Sequence, residues 1–148
     1  PAADCKHSRQ SMNDCFLLTN ICPQTHSLNA GDWKELETAT RRWAQRYDSI
    51  YVVCGPVIEK GFEYGHIGAN KVTVPARFYK VLLRFTAPGE AQAIGFIYDN
   101  LEKVDRPMQS YAVTVDSVEA LTGINFFSKL DKNVERKTES RFDWKYWK

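Results

Sequence analysis

The sequence has no apolar run near the roughly 18 residues that a membrane-spanning helix needs, so no membrane helix is expected in its 148 residues. It has no basic-then-apolar leader, so no signal peptide is visible. It also starts without Met, on PAADCKHSRQ, which points to a mature, trimmed or excised start with sequence upstream. No internal repeat or low-complexity linker divides it, and residues 1–148 read as one domain that buries roughly 70% of its unfolded surface. An excess of either charge sign is nearly absent: 20 Lys and Arg against 18 Asp and Glu leave a net value of +2. That permits nucleic-acid binding without arguing for it, because a dedicated binder shows a basic stripe. The four cysteines, at 5, 15, 22 and 54, lack paired CxxC spacing. That weighs against structural zinc, although Cys5, His7, Cys15, Cys22 and His26 crowd together. Buried thiols or one disulfide are expected instead. An even count suits an oxidising, secreted or periplasmic setting, but the compartment stays open.

What is present is a chain 43% hydrophobic and 13% aromatic. Residues 10–15 suggest a helical turn, and CFLLTNI (15–21) a strand entering the turn CPQT. Trp33, Leu36, Trp43, Ala44 and Tyr47 recur at three- and four-residue intervals, which predicts an amphipathic helix from about Gly31 to Tyr47. Asp32 and Glu35 suit a capping box at its start. SIYVVCGPV (49–57) is a continuous apolar run, expected as a strand buried on both sides. HIGANKVTVP suggests two short strands about a turn at Asn70. FYKVLLRFT (78–86) and AQAIGFIYD (91–99) suggest two more, split by APGE. Residues 110–115 read as a strand leading into a short helix capped by Asp116 and Gly123. Phe142, Trp144 and Trp147 suit a charged tail docked on the body. The fold class is α+β, mainly antiparallel sheet with one prominent helix.

The polar residues of that helix pose a choice. Positions 29, 33, 37 and 41 step by four, so they share one side of an α-helix. In one reading Asn29 is an N-cap and Glu37–Arg41 an ordinary i,i+4 ion pair. In the other, Asn29 offers a neutral carbonyl oxygen to a hard cation, Glu37 holds a metal-bound water, and Arg41 neutralises phosphate charge. Spacing alone leaves both open.

LTNICPQTHSLNAGDWKELETATR resembles the active-site motif of the DNA/RNA non-specific endonucleases, the ββα-metal (His-Me finger) enzymes that include endonuclease G. YVVCGPV, IGANKVTVPARFYKVLL, AIGFIYDN, YAVTVDSVEALTGINFF and the Glu139-Ser140 region resemble further family segments in family order. The resemblance implies the ββα-metal nuclease fold and hydrolysis of DNA and RNA phosphodiesters to 5′-phosphate products. It implies Asn29 as the direct ligand of a divalent metal, Mg²⁺ foremost with Mn²⁺ as the alternative. Glu37 then orients a metal-bound water, Arg41 contacts phosphate, and Asn20 is the strand asparagine that supports the site. Gln24 and Trp33 match family positions that turn and core duties also explain.

The family's general-base histidine, in Asp-Arg-Gly-His, has no match here. On the family pattern Pro1-Ala2-Ala3 follows shortly after it, so the expectation is a nuclease portion with little activity alone. His7, His26 and His66 are the histidines present, and His26 reads as a turn residue. A non-catalytic nucleic-acid-binding or structural module on a nuclease scaffold is the competing reading. Family members frequently dimerise, and loss of an upstream strand exposes a sheet edge. Self-association is therefore expected, with a homodimer left open.

Overall fold

The apolar spacing around Trp33 and Trp43 produces a 15-residue helix, α2 (Trp33–Tyr47), that buries Trp33, Leu36, Ala39 and Trp43. The computed structural model describes residues 2–102 and 106–148; Pro1 of the expected start lies outside them. A shorter helix, α1 (Arg9–Asp14), precedes it, started by the Ser8 side chain accepting from the Ser11 N–H. Four strands, β1 (Tyr51–Val57), β4 (Arg77–Ala87), β5 (Glu90–Asp99) and β6 (Ala112–Val113), form an antiparallel sheet. Their order is β1-β4-β5-β6, and β2 (Gly65–Ile67) with β3 (Val72–Val74) makes a separate hairpin.

The period-two alternation of β4 and β5 divides the core. Phe78, Leu82, Ile94, Phe96 and Tyr98 pack under α2. Tyr79, Val81, Leu83 and Ala93 point the other way, against Val115 and Val118 of α3 (Val115–Thr122) and against Phe127. A further helix, α4 (Lys132–Glu139), joins that second layer, with Thr138 donating to the Ala91 carbonyl at 3.4 Å. The tail then crosses to the α2 face. There Trp147, 1% exposed, meets the edge of Trp43 at 5.3 Å. Tyr47 Oη holds the tail by donating to the Tyr146 carbonyl at 2.7 Å.

One close approach requires a glycine. A Cβ at Gly95 would lie 2.6 Å from Val118 Cγ2 and 3.2 Å from both the Thr114 carbonyl oxygen and Val113 Cγ2. Gly95→Ala therefore pushes α3 off the sheet. Urea unfolding should show a loss of about 1–3 kcal/mol, the usual penalty of overpacking; an unchanged midpoint would contradict this packing.

Several sequence expectations need correction. Residues 15–21 are not a strand: Leu18–Asn20 is a 3-10 turn between extended residues Leu17 and Ile21. No described residues pair with it, and its apolar side chains Leu17, Leu18 and Ile21 are exposed. Strand β1 is an edge strand whose Tyr51, Val52 and Val53 are exposed, so an apolar run did not mean burial on both faces. The 110–115 strand shrinks to Ala112–Val113 because Met108–Tyr111 coils into a 3-10 turn. The cap of α3 is Thr114, accepting from the Ser117 N–H, and not Asp116, while Gly123 closes the helix in the left-handed region as expected. All four cysteines are free thiols, Cys54 exposed and the others half-buried. Helix α4 has no counterpart in the sequence expectations.

Candidate active site

The ends of β3 and β5 fix the segment that leads into α2. Asn100, just past β5, accepts from the Thr25 N–H at 2.8 Å through Oδ1. Its Nδ2 donates to the carbonyls of Pro75 at 2.8 Å and Pro23 at 3.2 Å. Thr25 Oγ1 donates to the Leu101 carbonyl at 2.8 Å. One amide side chain thus ties the Cys22-Pro23 turn to the ends of β3 and β5, satisfying backbone groups that would otherwise be costly to leave unpaired.

Beyond this clamp Leu28 is buried and anchors a single π-helical turn, Leu28–Asp32, in which Gly31 leaves helical backbone (φ −103°, ψ −110°). Asn29 lies in that turn, its N–H donating to the Thr25 carbonyl at 3.0 Å, and it is solvent-exposed. It is not an N-cap, and the four-residue stepping from Asn29 to Glu37 does not run through one regular helix. The wider turn and the Gly31 break reset the phase. The capping box also fails: Asp32 makes no cap bond and instead accepts from Tyr111 Oη at 3.2 Å.

Glu37 and Arg41 do meet on the second and third turns of α2, with Arg41 Nη2 3.8 Å from Glu37 Oε2. The stronger partner of Arg41 is Asp4. Arg41 Nε lies 2.6 Å from Asp4 Oδ1 and its Nη2 3.2 Å from Asp4 Oδ2, a two-pronged pair. That hydrogen bonding holds the Asp4 carboxyl below its ordinary range. The pair is therefore intact at neutral pH and opens only on acidification past the usual carboxylate range.

Beneath lies Lys80 of β4, buried at 3% exposure, its ammonium 4.4 Å from the centre of the Trp33 ring. Burial lowers its pKa, opposed by Cys54, Glu37 and Asp4 and reinforced by Arg41. Cys54 stands directly across from it in the β1–β4 register. Two cations and two carboxylates thus share one patch at the start of α2.

Asn20 is exposed and closes the 3-10 turn, so it does not occupy the strand position expected for it. Trp33 is a core residue, edge-on to Phe78 at 5.9 Å and Tyr98 at 6.2 Å. Gln24 is half-buried in the clamped turn. His26 and His66 are exposed, and His7 meets Ser11 Oγ at 3.5 Å. Three residues that position the patch escaped the sequence reading: Asp4, Lys80 and Asn100. Only Lys80 carried a usable signal, a charge inside an otherwise apolar strand.

Residues 1–133 match the profile of the DNA/RNA non-specific endonucleases. The chain belongs to that family. Mitochondrial Nuclease EXOG of Xenopus laevis is 35% identical over 144 residues, spanning 90% of this chain and 40% of its own. Mitochondrial endonuclease G of Homo sapiens is 32% identical, spanning 84% of this chain and 45% of its own. A nuclease of Nostoc sp. is 29% identical over 97% of this chain and 54% of its own. The chain therefore spans about half the length, or less, of these curated relatives. Among solved structures, the crystal structure of the EndoG/EndoGI complex superimposes with a TM-score of 0.78 at 29% identity, covering 93% of this chain and 58% of that one. Helix on one face, antiparallel sheet and helices on the other make this member of the family an α+β protein with the ββα-metal nuclease fold.

Proposed function

We propose that this chain is the metal- and phosphate-holding portion of an endonuclease that hydrolyses phosphodiester bonds of DNA and RNA to 5′-phosphate products. The observation that carries this reading is the patch at the head of α2, where exposed Asn29 precedes an Arg41–Glu37 pair backed by buried Lys80. The donor set suits Mg²⁺. Asn29 offers one neutral, water-exposed amide oxygen, and Glu37 is a partly exposed carboxylate able to hold a coordinated water. A small hard cation that keeps most of its hydration shell needs little more from the protein. When bound there, the metal supplies Lewis-acid stabilisation of the phosphorane charge and of the leaving 3′-oxygen.

The remaining steps belong to the chain's own side chains. Arg41 presents a planar fork that grips phosphate oxygens in two places, as it grips Asp4. Asp4 thereby holds the guanidinium in the orientation a phosphate needs, and the phosphate displaces it. Glu37, beside the same Nη2 that bonds Asp4, restrains Arg41 and orients water. Lys80, desolvated under Trp33, adds fixed positive charge without competing for the substrate. Asn100 keeps the Asn29 turn in place by clamping Thr25. Contacts restricted to phosphate and sugar carry no base readout, which accounts for weak sequence preference.

A base must reach the attacking water at hydrogen-bond distance, and no histidine of this chain contacts the Glu37–Arg41 patch among the described residues. The 148-residue chain alone is therefore expected to degrade plasmid and RNA very slowly. The same chain preceded by a strand carrying Asp-Arg-Gly-His should degrade both in a Mg²⁺-dependent, EDTA-sensitive way. Salt-sensitive binding by the extended protein without cleavage would instead support a non-catalytic binding module.

A further inference from the structure

On the sheet face opposite α2, three carboxylates converge where α3 meets α4. Asp116 and Glu119 lie three residues apart on α3, hence on one side of that helix, and Glu139 ends α4. One ligand oxygen from each lies within 4.8 Å of the other two. Asp116 is exposed, Glu119 half-buried, and Glu139 only 4% exposed. Such a cluster is common on protein surfaces, but the third member is not ordinary: Glu139 Oε1 is buried and has no hydrogen-bond partner.

A buried carboxylate beside two further carboxylates is strongly unfavourable when ionised. The neighbouring cation is already engaged, since Lys132 Nζ lies 2.6 Å from Glu135 Oε2, and Asn125 also donates to Glu135 at 3.1 Å. Glu119 is held in position by accepting from the Phe126 N–H at 2.8 Å. Burial first, then Glu119, Glu135 and Asp116, push the Glu139 carboxyl up to about 7, against a smaller opposing effect from the Phe127 backbone. Among the described residues no cation forms an ion pair with Glu139, and the site is open to water on the Asp116 side.

We propose that Asp116, Glu119 and Glu139 form a second cation site, separate from the Asn29 patch, that takes Ca²⁺ and pins α4 to α3. The chemistry selects the ion. Three carboxylates with irregular spacing and an open side suit a cation that accepts six to eight oxygens, several of them water, more than Mg²⁺, which demands a near-octahedral cage. Sulfur and imidazole donors, which would favour zinc, are absent from the group. The site is structural in function: it offsets the carboxylate repulsion between two helices packed on the same sheet face.

The test uses chelator-stripped protein in the Asn29→Ala background, so that the proposed active-site metal position is disabled and cannot supply the signal. Calcium titration by calorimetry is expected to show one site, and millimolar Ca²⁺ is expected to raise Tm by several degrees. Asp116→Asn, an exposed change that should leave the fold intact by circular dichroism, is expected to weaken Ca²⁺ binding at least tenfold and to remove the Tm rise. No calcium heat and no Tm shift in the parent would overturn the proposal. Equal affinity in the Asp116→Asn variant would overturn it too. Loss of nuclease activity on Asn29→Ala in the Asp-Arg-Gly-His-bearing protein, with Ca²⁺ binding retained, separates this site from the catalytic one.

Discussion

Asn29→Ala in the extended, Asp-Arg-Gly-His-bearing enzyme is expected to reduce kcat by about 10³-fold, near 4 kcal/mol of transition-state stabilisation. Asn29 is exposed, so this loss should come without unfolding. The effect is large because the proposed metal has one protein ligand. Removing that ligand leaves the ion held by solvent and substrate alone. The discriminating readout is the dependence of rate on Mg²⁺ concentration, with saturation shifted to higher Mg²⁺ or abolished, while urea unfolding stays within about 0.5 kcal/mol of the parent, as for other exposed sites. A rate unchanged at limiting Mg²⁺ would remove Asn29 from the site.

Trp147→Ala carries the largest expected effect on stability. The indole is 1% exposed, edge-on to Trp43 of α2 and within 6.0 Å of the Arg84 guanidinium, in the cluster that also includes Phe96 and Trp144. Truncating a buried Trp to Ala typically costs about 3–5 kcal/mol through lost transfer energy and a residual cavity. For a domain whose net stability is of order 5–15 kcal/mol, that is a large fraction. The tail is the only described segment that fills this gap between α2 and the β4–β5 hairpin, so the space cannot close by a small shift. The expected result is a urea midpoint lowered in proportion, with the fluorescence change of unfolding preserved. A loss below about 1 kcal/mol would show that the tail docks loosely.

The comparison of sequence with structure separates two kinds of information. Periodicity carried α2 because Trp33, Leu36 and Trp43 recur at helical intervals and no stronger local signal competes. It carried β4 and β5 because their alternating sides both meet helices. The same periodicity misplaced β1, since an apolar run looks alike whether a strand is central or at an uncovered edge. It missed α4, in which only Val134 is apolar and Glu135, Thr138 and Glu139 are the buried residues. It placed Asn29 in phase with Glu37, where a π-helical turn and Gly31 intervene.

The segment-by-segment resemblance to the non-specific endonucleases was legible because those motifs run through nearly the whole chain, and family membership follows from it. The Glu37–Arg41 contact was legible too, because i,i+4 neighbours on a helix meet whatever surrounds them. Contacts between distant parts of the chain were not. Asp4 reaches Arg41 across 37 positions, Asn100 reaches Thr25 across 75, and Glu139 reaches Asp116 and Glu119 from another helix. Local spacing determines what one helix or strand presents to its surroundings. Which groups then face each other, which charge is desolvated, and which carboxylate is left without a partner depend on chain segments brought together by burial of the sheet's two faces. Only the tertiary structure decided those.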